Sequence, residues 1–193
     1  MNRSSQFTWS SRVLHWLMAV AVLAMLLIGM AMVTSLANYH WLVSIHRPLG
    51  IVILVLVIIR FLNRQLNPPP PFLATMSPRE RQAATISERL LYALMFVLPL
   101  VGWGMLSAAR YPIGFGTFNL PPILPQNVRL YTVLRKSHTV LAYLMFFTFL
   151  AHLSAVLYHS VVLRDGLLRR MAFWNNQAPP SDGNSARGES TNA

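Results

Sequence analysis

Four long apolar segments alternate with shorter stretches that are rich in charged residues, proline and glycine. They cover about residues 13–35, 48–66, 90–107 and 138–163. A helix rises about 1.5 Å per residue, so each segment is long enough to cross a hydrocarbon core of about 30 Å. The pattern predicts an all-α protein, an integral membrane bundle of four helices.

Composition supports the membrane assignment. Hydrophobic residues make up 54% of the 193 positions, and the mean hydropathy is positive, which is unusual for a water-soluble domain. The chain contains no cysteine. This excludes disulfides, cysteine-ligated iron–sulfur clusters and covalent haem attachment through a C-x-x-C-H motif. Any haem would therefore have to be held non-covalently.

The first apolar segment has a second interpretation, since Ser35–Ala37 resembles the cleavage site of a signal peptide. Its apolar stretch is much longer than the core of an ordinary signal peptide. Cleavage would also remove His15, which belongs to the histidine pattern described below. We therefore expect the segment to be retained as the first span.

Basic residues are distributed unequally between the two sides of the predicted bundle. Eleven of the sixteen fall in the N-terminal region, the loop after the second span or the C-terminal region. Because basic residues are enriched on the cytoplasmic side of membrane proteins, we expect both termini to lie in the cytoplasm. The five basic residues of the outer side are Arg47, Arg110, Arg129, Arg135 and Lys136.

The outer side carries these basic groups and no acid, because all five acidic residues fall on the inner side. One interpretation is a solvated surface whose cations contact lipid phosphates. The other is a surface that steers small anions or an acidic partner, because charge of one sign around a low-dielectric cleft focuses the electric field. Membrane lipid is an expected partner in both cases, and nucleic acid is not.

The segments between the predicted spans differ in character. The run "NPPPP" ends the second span as a stiff linker, and Ser77 with Glu80 predicts the capped start of a helix leading into the third span. Within the outer segment 108–135, the sequence "NVRLYTVLRK" predicts a short helix lying at the membrane interface. Residues 174–193 are polar and predict a disordered cytoplasmic tail that follows a single membrane domain, residues 1–173.

Histidines at matched depths are the candidate chemistry. His138 and His152 are fourteen residues apart on the fourth span, which on a helix gives about 21 Å of rise and about 40° of rotation. Their rings therefore face the same way near opposite membrane surfaces. His15 lies at the inner end of the first span, and His46 opens the second span at the outer end. Two levels of two imidazoles, each from two helices, are the arrangement that two stacked b-type haems require.

Other residues fit this arrangement. Gly50 lies one turn below His46, where a small residue lets a porphyrin approach the backbone. Arg60 is level with the inner pair, where it either binds a haem propionate or anchors the helix at the cytoplasmic headgroups. Arg47 directly follows His46 and is a second candidate partner for a propionate. Gly29 lies on the face of His15, roughly level with the outer pair.

The histidines have alternatives. Single membrane histidines often serve as hydrogen-bond donors between helices, and a zinc site needs close ligands rather than two distant pairs. At the inner level, depth leaves two pairings open, His15 with His152 and His15 with His159. A non-redox, histidine-bearing membrane transporter is the alternative from another functional class.

Six stretches, in this order and at these spacings, resemble the bacterial cytochrome b561 proteins. The resemblance covers about residues 5–173, and each motif alone is weak. The stretches are "RVLHWLMA" around His15, "IHRPLGIVILVLVIIR" from Ile45 to Arg60, "YALMFVLPLVGWGM" in the third span, "KSHTVLAY" around His138, "AHLSAVLYH" ending at His159, and "LLRRM" ending at Met171.

The resemblance implies a cytochrome of the bacterial inner membrane that holds two b-type haems. It assigns His46 and His138 to the outer haem iron and His15 and His152 to the inner one, so it selects His152 over His159. It also implies superoxide oxidation at the outer haem, with ubiquinone as the electron acceptor. Other members are known only as electron carriers. A haem relay between a dehydrogenase or other redox partner and the quinone pool is therefore the alternative.

Reduction of a quinone consumes protons, and His159 near the inner end is a candidate donor. The other interpretation of His159 is an interfacial histidine capped by lipid headgroups. The outer segment 108–135 departs most from the resembled family, so differences in substrate choice are expected there.

Overall fold

The computed structural model describes residues 6–115 and 117–173, and the predicted tail at 174–193 lies outside this range. Four long helices dominate it, and a short hairpin and two short helical turns complete it. The helices are α1 (Trp9–Thr34), α2 (Tyr39–Leu66), α3 (Pro78–Ala108) and α4 (Val128–Leu157), followed by a π-helical turn (Tyr158–Leu163) and a 3₁₀ turn (Leu168–Arg170).

All four helices are long and apolar enough to cross a membrane, the fourth together with its π-helical turn. This confirms the four predicted spans, and each predicted span lies almost entirely within one helix. The outer surface of the bundle is apolar, with side chains such as Val20, Val140 and Val162 well exposed. In a bilayer, these side chains would face lipid, which has no polar groups in its hydrocarbon core.

The helices pack as two pairs. α1 packs chiefly against α2, and α3 packs chiefly against α4, while α2 and α3 join the pairs. Apolar side chains from all four helices meet in one core between the two ends of the bundle. Its buried members are Met18, Val22, Ile53, Leu54, Val57, Leu94, Met95 and Met145.

The start of α3 confirms the predicted cap. The backbone N–H of Glu80 donates to Ser77 Oγ at 3.3 Å, and the backbone N–H of Ser77 donates to Glu80 Oε2 at 2.7 Å. This reciprocal arrangement satisfies two backbone donors that a helix start would otherwise leave unpaired. Pro78 at the first helical position has no N–H to satisfy.

The prediction of a separate interfacial helix was wrong. Val128 to Lys136 form the first turns of α4 and continue into the fourth span without interruption. The physical reason is local, since the segment from Val128 to Leu157 contains neither proline nor glycine and nothing ends the helix once Asn127 has capped it. The Asn127 side chain accepts a bond from the N–H of Leu130 at 3.0 Å.

Two further differences from the sequence predictions lie at the same end. His46 does not open a helix, because α2 begins at Tyr39 and places His46 two turns inside it. The segment before α4 contains an unpredicted antiparallel hairpin of β1 (Gly114–Phe115) and β2 (Phe118–Asn119). We call this end of the bundle the hairpin end, and the opposite end, where residue 6 and residue 173 lie, the terminus end.

At the terminus end, the chain turns sharply after the π-helical turn. Arg164 and Gly166 adopt left-handed backbone conformations, with φ of 50° and 79°. The following residues, 165–173, fold back against the start of α1, and we call them the C-terminal segment. The N–H of Phe7 donates to the Arg170 carbonyl at 3.2 Å, and Trp16 Nε1 donates to the Met171 carbonyl at 3.0 Å.

Candidate functional site

Two histidines from different helices meet inside the hairpin end. The ring centres of His46 on α2 and His138 on α4 are 6.2 Å apart, and their planes are inclined by 71°. The helices that carry them are not principal packing neighbours, so the rings meet across the interior of the bundle. The sequence predicted this pairing from depth alone.

Glycines make room for both rings. A Cβ atom on Gly29 would lie 3.9 Å from His46 Cε1, and one on Gly102 would lie 3.3 Å from His138 Cε1. The second distance is tighter than ordinary packing, so a side chain at Gly102 would push the ring. A Cβ atom on Gly50 would lie 3.7 Å from Met25 Cε. Gly102 was not among the predicted site residues, although the two glycines of "GWG" in an apolar span were a visible signal.

The two rings have unused polar atoms. The Nδ1 atoms of His46 and His138 are buried and have no hydrogen-bond partner among the described residues. The His138 ring does lie beside the Leu98 carbonyl, but without a hydrogen bond of ordinary geometry. A buried polar atom without a partner costs about 1–3 kcal/mol, so such atoms suggest that a bound group completes the site.

The spacing of the rings suits one metal ion between them. Each metal–imidazole bond is about 2 Å long, and the ring centre lies about 1 Å behind the bound nitrogen, which gives about 6 Å between the ring centres. The observed separation of 6.2 Å agrees with this. The groove between these two rings therefore fits a haem iron with two imidazole ligands.

The second pair lies at the terminus end. His15 on α1 and His152 on α4 are both partly buried and close enough to interact electrostatically. Arg60 Nη2 lies 3.1 Å from His15 Nδ1. Because a guanidinium only donates, His15 accepts this bond, which assigns its ring proton to Nε2.

A network of charged and aromatic side chains extends from this pair. Arg60 and Arg64 both lie over the Tyr92 ring, at 5.7 and 6.0 Å from its centre. Arg64 also forms a two-pronged ion pair with Glu88, which in turn interacts with His152. Tyr92 was not among the predicted site residues, and Glu88 was predicted only to be an acid of the inner side. Their spacing of four residues, which places both on one helix face, was the available signal.

His159 lies apart from both pairs in a buried dyad. Only 6% of its surface is exposed, and its Nδ1 is 2.5 Å from Asp165 Oδ2. The other carboxylate oxygen, Asp165 Oδ1, accepts the N–H of Leu167 at 3.1 Å. This burial argues against an exposed histidine capped by headgroups, and among the described residues no contact joins His159 to His15. Asp165 was missed because it follows the end of the helix.

The predicted outer basic residues all lie at the hairpin end. Arg47 Nη1 donates to the Pro112 carbonyl at 3.3 Å, and its guanidinium lies over the Tyr111 ring at 5.6 Å. Arg110 lines a cavity of about 210 Å³ beside Trp103 and Tyr111.

On α4, Arg135 Nη1 donates to the Tyr131 hydroxyl at 2.8 Å, while Arg129 and Lys136 are exposed. The sequence contains no acidic residue between Glu88 and Asp165. Both of these acids lie toward the terminus end, so the basic residues of the hairpin end have no acidic side chain nearby in the sequence to neutralise them.

Comparison with known proteins gives the family of the chain. The sequence pattern of prokaryotic cytochrome b561 matches residues 6–174. Cytochrome b561 homolog 2 of Escherichia coli (strain K12) is 30% identical over 174 residues, covering 88% of this chain and 93% of that protein. A protein of Yersinia pestis named probable superoxide oxidase CybB is 31% identical over 160 residues, covering 82% and 90% respectively.

A third relative, cytochrome b561 homolog 1 of Escherichia coli (strain K12), is 26% identical over 175 residues, covering 89% of this chain and 97% of that protein. The matches thus extend over nearly the whole described chain, including both histidine pairs and all four spans. The chain belongs to the prokaryotic cytochrome b561 family.

Proposed function

We propose that the chain holds two b-type haems, one between His46 and His138 and one between His15 and His152, and passes electrons between the two sides of the membrane. Membrane electron transfer with b-type haem is the general activity of the family. The observation that supports the two-haem proposal most directly is the 6.2 Å approach of His46 and His138. When bound, each haem supplies a one-electron redox couple.

His46 with His138, and His15 with His152, would hold the two haems. The chemistry that the haems would supply is one-electron transfer. Among the described residues, no group of three or more metal-binding side chains occurs. The two distant histidine pairs therefore fit haem ligation better than a zinc site, which needs several close ligands.

Arg60 has to change partner when a metal binds His15 through Nε2. In a neutral imidazole bound in this way, the proton moves to Nδ1. Two donors would then face each other, since Arg60 can only donate. Arg60 would then turn to another acceptor at the same level. A propionate carboxylate is the acceptor in one of its two predicted roles, the other being a cytoplasmic anchor.

We propose superoxide as the electron donor and ubiquinone as the acceptor, with the hairpin end on the periplasmic side and the terminus end in the cytoplasm. In the net reaction, two superoxide anions and one ubiquinone take up two protons and give two dioxygen molecules and one ubiquinol. A basic surface at the hairpin end favours an anionic donor. A relative that is 31% identical is named probable superoxide oxidase.

Within that reaction, Arg47 is placed to hold an anionic group beside His46, and Arg110, Arg129, Arg135 and Lys136 are the candidate steering residues. One-electron loss from superoxide needs no general acid or base, so no further catalytic side chain is required at the hairpin end. Quinone reduction does need protons. His159 is the candidate proton donor, and Asp165 would hold its ring in one orientation.

The experiment that tests this function follows haem absorbance after superoxide is mixed with the purified protein under anaerobic conditions. We expect rapid haem reduction without quinone, and reoxidation when ubiquinone is present. A haem-containing protein that superoxide does not reduce would overturn the superoxide proposal. It would leave the relay for a dehydrogenase or other acidic redox partner, which the same acid-free surface would suit.

A further inference from the structure

We propose that Arg12 is a binding residue for a carboxylate, the propionate of the haem held by His15 and His152. This inference rests on the proposed two-haem function. Arg12 lies three residues before His15 on α1, so the two side chains project from neighbouring positions one turn apart. From its sequence position, Arg12 was predicted only to be one of the basic residues of the cytoplasmic side.

One side of the Arg12 guanidinium is occupied by the protein itself. Nη1 donates to the Ala172 carbonyl at 2.9 Å, and the Phe173 ring lies 5.6 Å from the guanidinium carbon. Both residues belong to the C-terminal segment. This segment therefore covers Arg12 and keeps one of its donors fixed.

The other side of the guanidinium has no partner. The Nε atom of Arg12 is buried and makes no hydrogen bond among the described residues. Leaving a charged donor buried and unpaired is costly. The Nε edge of arginine matches the two oxygens of a carboxylate, which accept its N–H groups side by side. The free edge therefore points to an oxyanion as the missing partner.

The acidic side chains of the described chain already have other partners. Glu88 pairs with Arg64, Asp165 binds His159, and Glu80 caps the start of α3. With no carboxylate of residues 6–115 or 117–173 left for this edge, we infer that the oxyanion belongs to a bound molecule. A haem held at His15 would bring its propionate carboxylates to this depth, and burial of Nε disfavours the phosphate of a lipid headgroup.

The same arrangement recurs at the hairpin end. Arg47, beside His46, also has a buried Nε without a partner. Its Nη1 likewise donates to a loop carbonyl, that of Pro112, and an aromatic ring, Tyr111, lies at the same distance of 5.6 Å. Each histidine pair thus has one arginine that fixes a loop segment with Nη1 and keeps its Nε edge free. The recurrence supports a carboxylate site at each pair.

A cation beside a propionate makes electron uptake by that haem more favourable. Arg12→Gln should therefore shift the midpoint potential of the inner haem downward and leave that of the outer haem unchanged, with two haems per chain retained. Arg12→Lys keeps the positive charge, so the midpoint potential of its inner haem should lie close to that of the wild-type protein. If Arg12→Gln does not retain the inner haem, retention of that haem in Arg12→Lys still supports the proposal. If Arg12→Lys loses it too, the missing two-pronged contact is the explanation only when both variants retain haem dimethyl ester equally well. Otherwise the loss overturns the proposal.

Two control variants separate this role from a structural one. Trp16→Phe removes another hydrogen bond to the C-terminal segment and should leave the potential unchanged. Arg79→Gln removes one exposed positive charge at the same end and should have a much smaller effect. Equal shifts in either control would overturn the proposal.

Reconstitution with haem dimethyl ester, whose propionates are esterified, identifies the oxyanion. In that protein Arg12→Gln should cause no further shift. A shift that persists would assign the Arg12 edge to a lipid phosphate and overturn the proposal. Retention of both haems in His15→Ala would overturn the proposed two-haem function itself, a different outcome from those that concern Arg12. An unchanged potential in an Arg12→Gln protein that holds the inner haem through His15 overturns the Arg12 inference alone.

Discussion

The imidazole rings of His46 and His138 approach to 6.2 Å across the hairpin end, although 91 residues separate them in the sequence. Each ring has a buried Nδ1 without a partner among the described residues. Gly29 of α1 faces the His46 ring, and Gly102 of α3 faces the His138 ring. All four helices thus contribute to this one site. The relationship makes the site sensitive to changes in residues that do not bind a cofactor themselves.

Gly102→Val should displace His138, because even a Cβ atom at this position would lie 3.3 Å from the ring. We expect loss or spectral change of the outer haem, with the inner haem retained. The reduced-minus-oxidised visible spectrum and the haem content per chain measure this. Gly29→Ala is the matched control, since its Cβ would make an ordinary contact of 3.9 Å with His46. A Gly102→Val protein with an unchanged spectrum would argue against a haem at His138.

His152, rather than His159, should bind the inner haem. His152→Ala should lose that haem, because His159 is held in its dyad with Asp165 and is not available as a replacement. His159→Ala should keep two haems and slow the reduction of ubiquinone, and Asp165→Asn should slow it as well. Haem quantification and quinone-dependent reoxidation rates check both parts. The opposite pattern of haem loss would assign the inner haem to His159.

The rate of haem reduction by superoxide should fall as ionic strength rises. Salt shortens the Debye length from about 30 Å at 0.01 M to about 10 Å at 0.1 M, which weakens attraction over a distance. Changing Arg129 and Arg135 to glutamate should also lower the rate without changing the haem content. Arg79→Glu, at the other end of the molecule, is the control for net charge.

A rate that responds neither to salt nor to these substitutions would leave the basic surface as a membrane anchor. The electron donor would then be sought among redox proteins rather than small anions. Stopped-flow measurements of haem absorbance over a series of salt concentrations distinguish the two outcomes.

Hydrophobic pattern and helical spacing were sufficient to predict the four spans, the Ser77 cap and the joint depth of His46 and His138. These features depend on residues that are close in sequence or on a regular rise per residue. The pattern was not sufficient to predict where α4 begins. An amphipathic basic segment has the same residue pattern whether it lies at the interface or extends a membrane span. The absence of a helix breaker after Val128 decided between them.

Some side-chain contacts could not be predicted from the sequence, because they depend on where the chain turns and on how the helices pack. Asp165 reaches His159 only because the chain reverses at Arg164 and Gly166. The closeness of Gly102 to His138 depends on how α3 packs against α4. Side-chain contacts of this kind follow from tertiary packing, which a single sequence does not display.

The central claim, two haems held by histidine pairs on three helices, is tested most directly by the haem content of His138→Ala. The purified variant is compared with the wild-type protein and with His40→Ala, an exposed histidine in the first turn of α2. We expect two haems per chain in the wild type and in His40→Ala, and one in His138→Ala with the spectrum of the inner haem preserved. Two haems per chain with an unchanged spectrum in His138→Ala would contradict the assignment.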